Sequence, residues 1–283
     1  MRIGGTGGGY HIVAVLNACT DNSREILERY LHRLPLTLVE EPRCGKNHAL
    51  NRGLAEARGE LLVFSDDDVV PLKTWLVAYE RMARERPEFD IFGGRILPYW
   101  MAEPPSWVLE RVPMGPVFAV HPADLAGGET HHGMIWGPNM MVRSRVFAAG
   151  YRFNGDVGPD GTNTYAMGSE SEFLERLSAA GYRSWFCGEC AVQHMIRPWQ
   201  LETEWIVGRA FRYGRFRYDH GERKLWGDVP MWRGLPRWMW RRYLANLASM
   251  RWLRWCGREW DYFRVAWEAE YFKGLLHQAR RRN

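Results

Sequence analysis

No run of apolar residues in this 283-residue chain is long enough to cross a bilayer, which excludes an integral membrane segment. No apolar stretch of signal-peptide type opens it; Met1 to Tyr10 is mostly glycine. Cysteine is scarce. Five residues, an odd number without a leader, fit a reducing compartment better than a disulfide framework. Cys187-x-x-Cys190 lacks the second pair that a zinc ribbon needs and reads as structural. The glycines between Gly4 and Gly9 lack G-x-G-x-x-G spacing and precede a strand instead of following one, so they are not a phosphate loop.

Tryptophan, by contrast, is plentiful: 15 residues, of which 11 lie beyond position 180. Apolar and charged fractions of 46% and 25% are those of a folded globular protein. The length allows one large α/β domain or a domain with an appendage. The net charge of +5 hides a division. Residues 201–283 carry 18 Lys/Arg against 9 Asp/Glu, whereas residues 1–200 carry 20 against 24. A basic, Trp-rich tail therefore follows a mildly acidic body.

Along the chain, His11 to Leu16 is rich in β-branched residues and of strand length. A polar loop, Asn17 to Ser23, leads to Ile26, Leu27, Tyr30, Leu31 and Leu34 at helical spacing. Leu36 to Val39 reads as a second strand. After the turn at Arg43 to Asn47, Ala49, Leu50, Gly53, Leu54 and Ala57 form the apolar face of a helix closed by Gly59. Leu72 to Arg86 reads as a helix stopped by Pro87, and Ile91 to Leu97 as a strand. Such alternation predicts an α/β fold with a mostly parallel sheet covered by helices on both faces. Pro98 to Gly133 reads as a long loop over an active-site edge. A strand at Met140 to Val142, a short helix at Arg145 to Ala149 and a helix burying Phe173, Leu174 and Leu177 follow. Two short strands, near Trp185 and near Val192, then lead to His194.

The chemistry concentrates at Leu61 to Asp68. Four apolar residues run into Ser65 and then Asp66, Asp67 and Asp68, which places three carboxylates where a buried strand leaves the core. In open α/β sheets ligands bind at that edge. Carboxylates so crowded repel one another unless a cation sits among them. A hard divalent ion such as Mg²⁺ or Mn²⁺ takes oxygen ligands and usually brings phosphates with it. The alternative is an acidic turn capping the next helix.

The motif order resembles the inverting family 2 glycosyltransferases, which have the glycosyltransferase A fold. The matching pieces are Val15 to Ser23, Gly45-Lys46-Asn47-His48-Ala49-Leu50-Asn51-Arg52-Gly53, Gly59-Glu60 through Asp68, Gly137-Pro138-Asn139, and Gly168-x-Glu170-x-Glu172-Phe173-x-x-Arg176-Leu177, with His194 last. The resemblance implies a catalytic domain over residues 10–217, a helical appendage over 218–283, and a nucleotide-sugar donor. Asp66 would face the donor ribose and join Asp68 and His194 around the divalent cation, with Asp67 between. Lys46 and Asn51 would contact the donor, and Arg197 its diphosphate. Asn17 stands where relatives often carry an Asp that binds the donor base. Glu170 occupies the general-base position, with Ser169 where the family usually has Glu. A carboxylate there, ionised at neutral pH, takes the proton of an acceptor hydroxyl on a glycan or lipid-linked sugar. The alternative for Glu170 and Glu172 is a pair of first-turn acids favoured by the helix dipole. A catalytically inactive partner protein and a nucleotidyltransferase stay open as other functions.

Two features depart from that frame. The family has a first strand ahead of the one containing Val13, and here only Gly-rich residues precede it. The missing strand would be central, leaving two inner edges with unpaired backbone. The tail places Trp240, Tyr243, Leu244, Leu247 and Met250 on one stripe ringed by arginines, and a last helix bears Tyr262, Phe263, Ala266 and Trp267. Trp and Arg around an apolar stripe suit an anionic membrane surface at the cytoplasmic face. The alternative is a pair of ordinary helices folded over the body. No nucleic-acid module is recognisable. Protein made from this Met1 is expected to be poorly soluble or inactive, and a well-folded, active preparation would refute the missing-strand reading.

Overall fold

The computed structural model describes residues 9–282, so the glycine run at Gly4 to Gly8 lies outside the described residues. The first half runs β1 (Ile12–Asn17), α1 (Ser23–Glu28), β2 (Leu36–Glu41), α2 (Lys46–Leu54), β3 (Leu61–Phe64), β4 (Val69–Pro71), α3 (Trp75–Glu85) and β5 (Ile91–Trp100). After β5 come α4 (Ser106–Arg111), α5 (Met114–Phe118), β6 (Gly128–Glu129), β7 (Met140–Arg143), α6 (Ser144–Ala148), α7 (Ser169–Ala179) and β8 (Ser184–Ile196). The remainder is helical: α8 (Thr203–Arg217), α9 (Arg223–Leu225), α10 (Arg237–Trp255) and α11 (Glu259–Arg282).

These elements fall into two units. The first holds the chain up to Tyr99 together with Ala119–Gly161 and Gly168–Met195. Its larger sheet has the order β3-β7-β5-β8-β4, with β6 also on β8. Alternation along the strands divides the core in two. Phe92 and Met141 face one way, packing with Trp75 and Tyr79 of α3. Ile91, Met140 and Val142 face the other, packing with Phe173, Leu174 and Leu177 of α7. The α/β class expected from the sequence is therefore present, with helices on both faces of the sheet.

Strand direction differs from expectation. β1 and β2 pair in parallel, and the neighbours β5 and β8 run the same way, with the Ile91 N–H on the Arg183 carbonyl at one end and the Met101 N–H on the Ile196 carbonyl at the other; β3–β7, β5–β7, β4–β8 and β6–β8 run antiparallel. The first two of these come from β7, a short strand inserted between β3 and β5. Its position is locked by Asn139, fully buried at its entry. The Asn139 side-chain oxygen accepts from Trp75 Nε1 and the Tyr79 hydroxyl, each at 2.8 Å. Its Nδ2 donates to the carbonyls of Arg95 (2.9 Å) and Cys190 (2.6 Å). One amide thereby ties β7 to α3, β5 and β8, and an apolar replacement would remove a partner from each of four groups.

The β1–β2 pair is a separate two-stranded sheet, and β3 lies at the end of the larger one. Helix α2 splices the two sheets: it packs on β1 and β2, while Leu50 and Leu54 reach the cluster around Ile91 and Phe173. Helix α1 is shorter than its periodicity predicted and buries nothing, with Ile26, Tyr30 and Leu31 exposed. The two strands expected near Trp185 and Val192 are one, β8, whose first half pairs with β6 and second half with β4. The expected loop at 98–133 contains α4, α5 and β6. Cys187 and Cys190 are joined by a disulfide, which the odd cysteine count argued against.

The second unit gathers Trp100–Phe118, Thr162–Met167 and the chain from Ile196 onward. The expected boundary at 217–218 falls inside continuous helix, since α8 runs directly into the π-turn Tyr218–Glu222 and α9. Helices α8 and α11 cross where Gly214 meets the backbone of Tyr271 and Gly274 meets that of Phe211, an approach no side chain at either glycine would permit. Buried Arg215 donates to Gln278 (3.1 Å), which donates to Asp219 (2.7 Å). Tyr218, Trp226, Met239, Phe272 and Leu275 complete this core. Among the described residues no helix is long and apolar enough to cross a membrane.

One buried histidine makes the first unit acid-sensitive. His121 Nδ1 accepts from the Ile96 N–H (3.1 Å) and Nε2 donates to the Met134 carbonyl (3.0 Å), with the ring stacked on Trp136. Burial pulls its pKa down to about 4. The unfolded chain, with an ordinary His near 6.5, then binds the proton first. Stability is complete above about pH 6.5 and falls by about 3 kcal/mol as pH drops towards 4. Urea unfolding across this window should show that slope in the wild type and a flattened one in His121→Phe; equal slopes would refute the assignment.

Candidate active site

The antiparallel entry of β7 decides what surrounds the Asp cluster. Because Phe64 pairs with Met140, the residues after Phe64 lie beside those just before Met140. The Ser65 hydroxyl accordingly donates to the Pro138 carbonyl (3.3 Å), and Gly137 arrives beside Asp66 and its partner.

That partner is Lys46, the first residue of α2. Its ammonium contacts Asp66 Oδ1 at 2.7 Å and Oδ2 at 2.9 Å, with both side chains about three-quarters buried (24% and 27% exposed). A Cβ on Gly137 would stand 3.1 Å from Lys46 Nζ and 3.4 Å from the Glu170 carboxyl carbon, so only glycine leaves the two charges this close. Burial works against the charge on Lys46, but Asp66, Glu170 and Asp68 hold it protonated far above neutrality.

Glu170 sits in the first turn of α7. Ser169 donates to its Oε2 at 2.8 Å, and the Gly137 N–H donates to the same carboxylate. Burial would raise its pKa; the Lys46 charge and these donors outweigh that and leave it below the usual carboxylate range. Ser169, standing where the family usually has an acid, is thus buried and spent on orienting Glu170. Glu172 is a structural acid, paired with Arg176 at 2.8 Å.

Asp68 and His194 meet through the β4–β8 pairing. Val69 is in register with His194, the Met195 N–H donates to the Asp68 carbonyl (2.8 Å), and His194 Nε2 lies 3.4 Å from Asp68 Oδ1. The three-ligand set expected of Asp66, Asp68 and His194 is not assembled: both oxygens of Asp66 are on Lys46. Among the described residues no cluster of three or more potential ligands forms a metal cage. A carboxylate oxygen and an imidazole nitrogen do fit a Mg²⁺ or Mn²⁺ ion that takes its other ligands from phosphate and water. Asp67 is exposed.

Two other expected donor contacts are engaged with backbone. Asn17 donates to the carbonyls of Glu41 (3.1 Å) and Arg43 (2.7 Å) and accepts from the Gly45 N–H (2.9 Å), so its amide shapes the turn into α2 rather than presenting itself to a base. Asn51 exchanges two hydrogen bonds with the backbone of Phe153, at 2.7 and 3.0 Å. Arg197 belongs to the second unit. Sequence reasoning missed Asn47, whose Nδ2 donates to the carbonyls of Asn154 (2.7 Å) and Val157 (3.0 Å). The signal was present: Asn47 and Asn51, four apart, share one face of α2, and together they clamp the 153–157 loop.

The model of Glycosyl transferase family 2 matches residues 3–150, more than half of the chain. The chain belongs to glycosyl transferase family 2. A 174-residue stretch is 21% identical to the glucosyl-dolichyl phosphate glucuronosyltransferase of Haloferax volcanii, covering 60% of this chain and 54% of that protein. The chain therefore spans about half the length of this curated relative. Among solved structures, S. aureus TarS matches with a TM-score of 0.50 at 14% identity, over 96% of this chain and 50% of TarS. The mannosyltransferase PcManGT from Pyrobaculum calidifontis, solved with GDP-Man and Mn²⁺, gives 0.48 at 20% identity, over 96% and 64%. At such identities the likeness is one of fold, and the fold is that of the family: mixed α/β of glycosyltransferase A type with a helical C-terminal region.

In this family 2 chain Lys46 is the cation that governs Glu170. Replacing Lys46 by Met leaves only the hydrogen-bond donors to oppose burial, so the Glu170 carboxyl should titrate at higher pH. Carboxyl-selective NMR of the wild type and Lys46→Met, with Glu170→Gln assigning the resonance, measures this. An unmoved titration would show that the lysine charge does not act on Glu170.

Proposed function

We propose that this family 2 glycosyltransferase catalyses metal-dependent, inverting transfer of a sugar from a nucleoside diphosphate to an acceptor hydroxyl. The observation that carries the reading is Glu170: a carboxylate fixed by three donors and held ionised at the end of the sheet where the Asp66–Asp68 segment emerges. An ionised, oriented carboxylate is what a general base for an alcohol requires. In the reaction the acceptor oxygen attacks the anomeric carbon opposite the diphosphate, its proton passes to Glu170, and the sugar–phosphate bond breaks with inversion.

Asp68 and His194 are the residues that would hold a divalent cation, and Asp66 and Lys46 the ones facing the ribose and diphosphate. A cation there supplies charge compensation for the diphosphate as it leaves. Lys46 has a further part in this reading. A diphosphate reaching Asp66 competes for the ammonium, and as Lys46 turns to phosphate Glu170 loses its strongest counter-charge and gains basicity. The base is thereby most competent when donor is present, which disfavours proton uptake in the empty enzyme.

The relative from Haloferax volcanii is named for transfer onto glucosyl-dolichyl phosphate, and we favour a lipid-linked sugar over a free glycan as the acceptor class. Nucleotide and sugar are to be identified by thermal shift against a panel of nucleotide-sugars with Mn²⁺. With the donor so found, Glu170→Gln should lower kcat about 10²- to 10⁴-fold with little change in donor KM. Asp68→Ala should raise the Mn²⁺ concentration needed for half-maximal rate. Equal activity in all three proteins would remove Glu170 and Asp68 from the mechanism, and no turnover with any donor would favour a catalytically inactive partner protein.

A further inference from the structure

We infer that the outward face of α10 docks the second unit on an anionic lipid surface. Helix α10 contains five arginines and no acidic residue over its 19 positions. Among the described residues only Arg242 of the five is paired with an acid, Glu268, at 2.7 Å. Met239, Asn246 and Leu253 face the unit's interior. The opposite face leaves Trp238, Leu244, Trp252 and Trp255 between 49% and 85% exposed, beside exposed Arg241, Arg251 and Arg254. Exposed tryptophans of this number are costly in water and uncommon on a surface that stays wet.

The apolar residues of α11 behave otherwise. Phe263, Ala266, Ala269, Phe272 and Leu275 are buried in the unit's own core, so α11 is an ordinary packed helix and cannot share the surface role expected for both tail helices. The docking face is therefore that of α10, with Tyr262 of α11 at its C-terminal edge.

The chemistry of that face selects its occupant. Indole partitions to the boundary between headgroup and hydrocarbon, and arginine pairs with lipid phosphate. A cleft of about 250 Å³ lies at the C-terminal end of the face, lined by Leu247, Met250 and Tyr262 with Arg251 and Arg254. Apolar walls and two guanidinium groups suit the glycerol–acyl junction of a phospholipid better than they suit a protein side chain. A protein partner would need an acidic and apolar surface matched along the helix, whereas an anionic bilayer supplies both properties wherever the helix lies.

The inference rests on the proposed function in one respect, that a lipid-linked acceptor would be met at this surface; the docking itself stands apart from it. The test is co-flotation of the full chain with vesicles of phosphatidylcholine alone and of phosphatidylcholine mixed with phosphatidylglycerol, at low and high salt. The chain should bind the mixed vesicles and be released by salt. The Arg251→Gln/Arg254→Gln variant should bind about thirty-fold more weakly, and Trp252→Ser/Trp255→Ser at least about ten-fold more weakly. All four positions are exposed or at a cleft rim, and circular dichroism confirms that each variant is folded. Binding that ignores lipid charge, binding unchanged in the arginine variant, or self-association through the tryptophans without vesicle binding would each overturn the inference. Donor hydrolysis measured without vesicles should be the same in both variants and the wild type. Its absence in the wild type would count against the proposed reaction alone.

Discussion

One ammonium holds the candidate site of the first unit together. Lys46 lies against Asp66 and carries Glu170 with it, and these residues come from α2, the turn after β3, and α7. Without a positive charge there, two carboxylates would converge in a partly dry space, and either one would protonate or the loops would part. With it, both stay ionised and the three elements are pinned at their functional ends. The same ion pair engages both oxygens of Asp66, while Asp68 lies beside His194.

The position of Lys46 depends in turn on backbone far from it in sequence. Asn17 shapes the turn that starts α2. Asn47 and Asn51 clamp the other side of the same helix to the 153–157 loop. Gly137 closes the space between Lys46 and Glu170, and Asn139, two residues on, fixes β7 to three neighbours through a single amide. Four asparagine side chains, all bonded through Nδ2 and three of them also through Oδ1, thus position a site whose own residues are few. The economy has a physical basis: an amide that bonds backbone on both ends is rigid, and a rigid amide transmits position without adding charge.

The second unit follows a different logic. Its stability comes from close helix crossing at Gly214 and Gly274 and from aromatic packing around Phe272, with the charged chain Arg215–Gln278–Asp219 sealed inside. That packing consumes the apolar residues of α11 and leaves those of α10 outside. Two successive helices that both carry Trp and Arg therefore acquire different surroundings.

Much of the first unit was legible in sequence. Apolar runs of strand length, helices ended by Gly59 and Pro87, and an Asp triplet at a strand end depend on local chemistry, and they determined the α/β class, the family and the end of the sheet where ligands belong. The charge division and the tryptophan excess likewise announced a distinct tail. Only the tertiary structure decided which charges neutralise which. That β7 enters antiparallel, that Lys46 pairs with Asp66, that Asn17 and Asn51 serve the backbone, and that α10 faces outward while α11 is buried all depend on contacts between residues tens of positions apart. Periodicity records which face of an element is apolar; it does not record what that face meets.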